Sequence, residues 1–170
     1  MPTDKSALYQ RAYARLGRET PLGADCGSLC GARCCGGGEE SGMLVYPGEE
    51  ALLSGLPFLR LKEESLFEKP VYFAVCLGKG GCERKNRPFS CRIFPLVPYI
   101  GPQGGLRIIT DPRARYICPL AADGGGVTAA FRQAVRRAVS VLCADDEIKS
   151  YITEYSAVLD EYERFTGEKR

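Results

Sequence analysis

The stretch DCGSLCGARCCGGGEE, residues 25–40, sets four of the chain's nine cysteines within ten positions, two of them adjacent. Thiols that dense serve a disulfide framework, a redox-active pair or a metal. The N-terminal run MPTDKSALYQRAYARLG has no apolar segment of signal-peptide length, and nowhere do about 18 uncharged apolar residues follow one another. The chain therefore reads as a cytosolic protein with no membrane segment. Thiols there are kept reduced, which favours metal binding or catalysis over structural disulfides.

Working outward, the spacing is CxxxCxxxCC at Cys26, Cys30, Cys34 and Cys35, then Cys76, Cys82, Cys91 and Cys118, with Cys143 apart from the rest. Glycines crowd the first eight, among them Gly27, Gly31, Gly36, Gly37, Gly38, Gly78, Gly80 and Gly81, and let the backbone turn tightly around an ion. The chain contains no histidine, which excludes Cys-His nucleophile pairs, mixed Cys-His zinc sites and the usual general base. No CxxC motif on a βαβ pattern points to a thioredoxin-like site, and the triplet misses the radical S-adenosylmethionine spacing by one residue. The eight cysteines are thus the expected metal ligands, enough for two four-thiolate sites. Zinc is the expected ion, with an iron–sulfur cluster as the alternative. Neighbouring side chains in extended backbone diverge, so Cys34 and Cys35 are expected to serve different ions, or Cys35 to be an odd thiol; a strained vicinal disulfide is disfavoured. Cys143, beside Val139 and Leu142 at a helix end, reads as a small buried apolar residue.

Around Cys82 and Cys91 the stretch CERKNRPFSCRIFP places Arg84, Lys85, Arg87 and Arg92. Cations next to four thiolates on one divalent ion offset its net negative charge, a role expected above all of Arg87 and Arg92. The formal net charge is only +2, and few aromatic residues interleave with the arginines, so nucleic acid is disfavoured as a partner. The expected partners are a metal ion and, beyond it, another protein.

With 170 residues, 45% of them hydrophobic and 26% charged, the chain fits one domain spanning 1–170. Leu8, Ala12 and Leu16 predict a helix over 5–16 that ends at Gly17. Short strands are predicted at 43–46, 71–76 and 106–110, with a helical turn between Pro47 and Gly55. From Val127 apolar residues recur at three and four, break near Cys143 and Ala144, and resume after Asp145 as N-cap, predicting an antiparallel helical hairpin over 127–165. Its tyrosines are read as packing. The fold expected is α+β: an irregular cysteine-rich metal-binding region over 25–120 with short strands, lacking a core of its own, plus the C-terminal helix pair.

CGSLCGARCC, FAVCLGKGGC and RPFSCRIFPL, in that order, resemble the CxxCxxCC cysteine-cluster family, the YkgJ type, described as zinc- or iron-chelating proteins. Arg87 to Pro95 is the most specific block. The likeness spans roughly 25–120, departs from the family spacing by three residues in place of two between the first cysteines, and leaves the helical pair without a counterpart. It implies a metal-chelating protein. Flagellin lysine N-methylases share the pattern, so a small metal-dependent transferase acting on protein or RNA is the alternative; no catalytic residue is assigned.

Overall fold

The structure, a computed structural model, describes residues 5–78, 82–124 and 126–167. Chain order is α1 (Ser6–Leu16), α2 (Gly27–Cys30), β1 (Gly42–Val45), α3 (Glu50–Leu53), β2 (Leu59–Leu66), β3 (Lys69–Cys76), α4 (Phe89–Ile93), β4 (Leu96–Ile100), β5 (Leu106–Thr110), α5 (Ala129–Leu142) and α6 (Asp146–Thr166). The fold is α+β, with a three-stranded antiparallel sheet in the order β1-β3-β2, a β4-β5 hairpin and the C-terminal helix pair.

The two long helices follow from periodicity and capping. Thr128 accepts from Phe131 N, and Asp145 accepts from Ile148 N at 3.0 Å, so each helix opens on a side-chain oxygen. Lys5 Nζ reaches the same Asp145 at 3.0 Å and Glu147 at 2.5 Å, fastening the start of α1 to the start of α6. α1 packs on α5, and Tyr9, Ala12 and Leu16 meet Phe131, Val135 and Leu142 in the main core.

The expectation that residues 25–120 lack a core of their own needs correction. Tyr46, Val71, Phe89, Ile93, Leu96 and Ile100 all belong to the main core alongside the helices. Two elements not predicted supply much of this, α4 through Phe89 and Ile93 and β4 through Leu96 and Ile100; a third, β2, adds no fully buried residue. β2 is an edge strand with long exposed stretches, so it shows almost no apolar alternation. β4, LVPYI, is buried at every position and contains Pro98, which argues against a strand; here it pairs only with β5. On its other side lies α6, whose Ser156 Oγ accepts from Ile100 N at 2.9 Å.

Candidate metal centre

The loop over residues 26–35 is two short turns. α2 ends at Gly31 in a left-handed conformation, and Ala32, also left-handed at φ 55, starts a 3₁₀ turn over Arg33–Cys35. The vicinal pair is therefore helical, and not in the extended backbone expected of it. Its two sulfurs stand 3.8 Å apart, about the separation of two ligands on one tetrahedral zinc with bonds of ~2.3 Å.

After Cys35 the chain is tied to the end of β3: Gly38 N donates to Cys76 O at 3.1 Å, and Cys76 N donates to Ser41 O at 2.7 Å. Gly37, at φ +74, lies so close that a Cβ would come within 2.9 Å of Gly78 Cα. Only glycine tolerates both that conformation and that contact. Gly80 and Gly81 lie outside the described residues.

Cys91 sits on α4, which Glu49 holds in place. The carboxylate of Glu49 is fully buried; its Oε1 accepts from Phe89 N at 2.6 Å, at the first residue of the helix, and from Tyr13 Oη at 2.5 Å. Burial pushes the Glu49 carboxyl up to about 7, against the pull of these hydrogen bonds and of Arg92.

All eight predicted ligands, Cys26, Cys30, Cys34, Cys35, Cys76, Cys82, Cys91 and Cys118, line one cavity of about 280 Å³. They arrive from five places: the 26–35 loop, the end of β3, Cys82 ahead of α4, α4 itself, and the turn at Cys118. Cys143 stays apart as the C-cap of α5, packed against the main core. All nine cysteines carry free thiols.

Within the cavity two neighbourhoods emerge. Cys26 packs with Cys118; burial raises its thiol pKa, and Cys118 and Cys30 raise it further. Cys34 is raised first by its contact with Cys35, then by burial, and also by Cys30 and Cys26. Burial pushes up the Cys91 thiol, and Cys35 and Cys76 add to that. Cys82 accepts from Arg87 Nε at 3.3 Å, and Arg87 is raised by that thiol and by Cys35 and Cys91, which outweigh its burial. Cys26, Cys30, Cys34 and Cys118 thus form one electrostatically linked group and Cys35, Cys76 and Cys91 another, with Cys82 joined to the second through Arg87, and the vicinal pair is where the two sets meet. Among the described residues, no three Cys, Asp or Glu side chains stand close enough to grip one ion as they are.

The charges lining the cavity are Arg33, Arg84, Arg87 and Arg92 against Glu40. Arg84 donates to the carbonyls of Glu19 and Arg92, and Arg92 to those of Arg87 and Lys85, so both spend their donors on backbone. Arg92 also stacks over the Tyr13 ring at 3.6 Å. Burial lowers the pKa of each, and mutual repulsion with Arg87 lowers it further. Arg84, which sequence reasoning placed only among surrounding cations, is thus as much a part of the wall as Arg87 and Arg92. Lys85 instead points outward and pairs with Glu83.

Sequence reasoning could not find the buried Glu49 beneath α4, because an acidic pair after Pro47 reads as the first turn of a helix. Compared with known protein families, characterised proteins and solved structures, the chain matches none.

Proposed function

We propose that this protein binds metal through cysteine thiolates, with Cys26, Cys30, Cys34 and Cys118 as one ligand set and Cys35, Cys76, Cys82 and Cys91 as the other. The observation that supports this is the gathering of eight thiols from five parts of the chain in one cavity, with the ninth left out. Ordinary packing gives no reason for such a gathering. The donor set suits zinc or an iron–sulfur centre: soft sulfur, no imidazole and a single carboxylate. Zinc is the proposed ion, as the usual occupant of a closed all-thiolate site, and two such four-coordinate sites use all eight sulfurs that line the cavity. On this reading Cys35 is a ligand and not an odd thiol.

A bound ion would supply charge to replace the protons that these thiols hold. Thiols pushed up by burial and by their neighbours, as Cys26, Cys34, Cys91 and Cys118 are, ionise when a cation takes the proton's place, so binding releases protons. The chain's own contribution is the cationic wall: Arg87 donates to a sulfur, and Arg84 and Arg92 stand by without carboxylate partners among the described residues. This is the arrangement a dianionic tetrathiolate needs. Closing the ligand shells requires side-chain rotation in a loop whose glycines allow it. The resemblance to the YkgJ-type cysteine-cluster family supports the same reading.

The test is elemental analysis of anaerobically purified protein. About two zinc ions per chain are expected for two closed sites. Less than roughly a tenth of an ion per chain would overturn metal binding, and a brown protein that bleaches on reduction would overturn zinc in favour of iron–sulfur.

A further inference from the structure

On the far side of α4 lies a second cavity of about 280 Å³, at the small end of the range for ligand sites. It shares Gly42, Met43, Phe94 and Ile117 with the cysteine cavity as a common wall, but its chemistry is different. Most of its lining is apolar, from β1, β3, β4 and the inner face of α4. One end is polar, formed by Tyr46, Tyr151, Tyr155, Asp111 and Arg113. The rings of Tyr151 and Tyr155 stack at 5.9 Å, and Tyr46 meets Tyr151 edge-on at 5.4 Å.

The hydrogen bonds at that end do not close. Arg113 spends its Nε and one terminal nitrogen on the two oxygens of Asp111, at 2.9 and 2.5 Å, and also engages Tyr155. Their charges cancel. Tyr46 and Tyr151 are only 4% and 8% exposed, yet among the described residues neither hydroxyl has a hydrogen-bond partner. Nor are they sealed into protein, for the sealed side-chain oxygen without a partner is Glu49 Oε2. Both residues line the cavity, and Tyr151 also borders a neighbouring groove between β3 and α6. A buried phenol normally finds an acceptor, and here two on neighbouring rings have none among the described residues.

We propose that this cavity binds a small uncharged molecule with an apolar body the size of a single ring and a carbonyl oxygen that accepts from the hydroxyls of Tyr46 and Tyr151. The apolar walls take the body and the phenols fix the orientation. The paired Asp111 and Arg113 leave no free charge to attract an anion, and the buried carboxylate of Asp111 disfavours one.

The test is a titration of the full chain, followed by NMR, with three probes of similar shape: acetophenone, ethylbenzene, which lacks the acceptor, and benzoate, which adds a charge. Saturable binding of acetophenone is expected, about tenfold tighter than ethylbenzene. That preference should disappear in the Tyr46→Phe/Tyr151→Phe double variant. Val97→Phe, which fills the cavity and leaves both phenols in place, should abolish binding of both neutral probes and serves if the double variant fails to fold. The proposal is overturned if acetophenone does not saturate, if ethylbenzene binds equally well, as it would were the phenols held by water alone, or if the preference survives in the double variant. Tighter binding of benzoate would overturn the uncharged class.

Discussion

At the scale of single residues, Cys91 and Cys143 are opposites. Both are partly exposed cysteines, but one lines the thiol cavity and the other packs against the helical core. Cys91→Ser should lose at least half of the bound metal, because three thiolates and a hydroxyl leave one shell open. Cys143→Ser should keep full metal content and lose on the order of 1–3 kcal/mol of stability if its hydroxyl finds no partner. Metal analysis together with urea denaturation separates the two, and equal metal loss in both variants would refute the division. Glu49 is the second residue with a measurable signature. Its folded-state pKa of about 7 lies above the ordinary value of 4.5, so the native state holds a proton that the unfolded chain releases earlier. The unpartnered Oε2 is the natural place for it. Stability should then be greatest below about pH 4.5 as far as this group is concerned, and fall as pH rises through 7, by on the order of 3 kcal/mol. Glu49→Gln keeps an acceptor for Phe89 N and Tyr13 Oη and cannot ionise, so its urea midpoint should lack that fall. Parallel pH profiles for the two proteins would rule the idea out.

Among the elements, the start of α6 carries the clearest prediction. Asp145 both caps that helix and holds Lys5 at the start of α1, so Asp145→Ala removes a cap and an ion pair at once. A loss of about 1–2 kcal/mol is expected, against less than about 1 kcal/mol for Glu147→Ala, whose carboxylate is largely exposed. Comparable thermal shifts in the two variants would show that the cap contributes little. This end of the molecule was legible in sequence because periodicity, a break and an N-cap residue coincide there; α5 and α6 fall where Val127, Asp145 and the apolar spacing put them. α1, β3 and β5 were legible for similar reasons. β2 was hidden because an edge strand has no buried stripe, and β4 because Pro98 argues against a strand unless one knows that α6 covers its other side. The eight ligand candidates could be listed from composition and the missing histidine. Their partition could not, since it depends on which thiols the folded chain brings near one another, and the 3₁₀ turn at Arg33–Cys35 is not the extended backbone in which adjacent cysteines diverge.

Across the whole molecule, the cysteine cavity and the helical core meet at α4. Removing metal with a chelator should raise amide hydrogen exchange in 26–41 and around Cys76, which the ligand set ties together, while α5 and α6, buried through Phe131, Val135 and Ile152, should stay protected. Uniform loss of protection would show that the core does not stand without metal. α4 itself is only five residues long. Cys91 and Arg92 line the thiol cavity, and Ser90 and Ile93 line the second cavity behind it. A helix of barely more than one turn has no length over which to bend, so it shifts as a rigid piece and any movement of one wall is a movement of the other. An occupant of one cavity that displaces α4 then changes the free energy of filling the other, and thermodynamic reciprocity fixes the factor to be the same in both directions. The ratio of acetophenone affinities with and without zinc should equal the ratio of zinc affinities with and without acetophenone, so one short helix makes each occupant a gauge of the other.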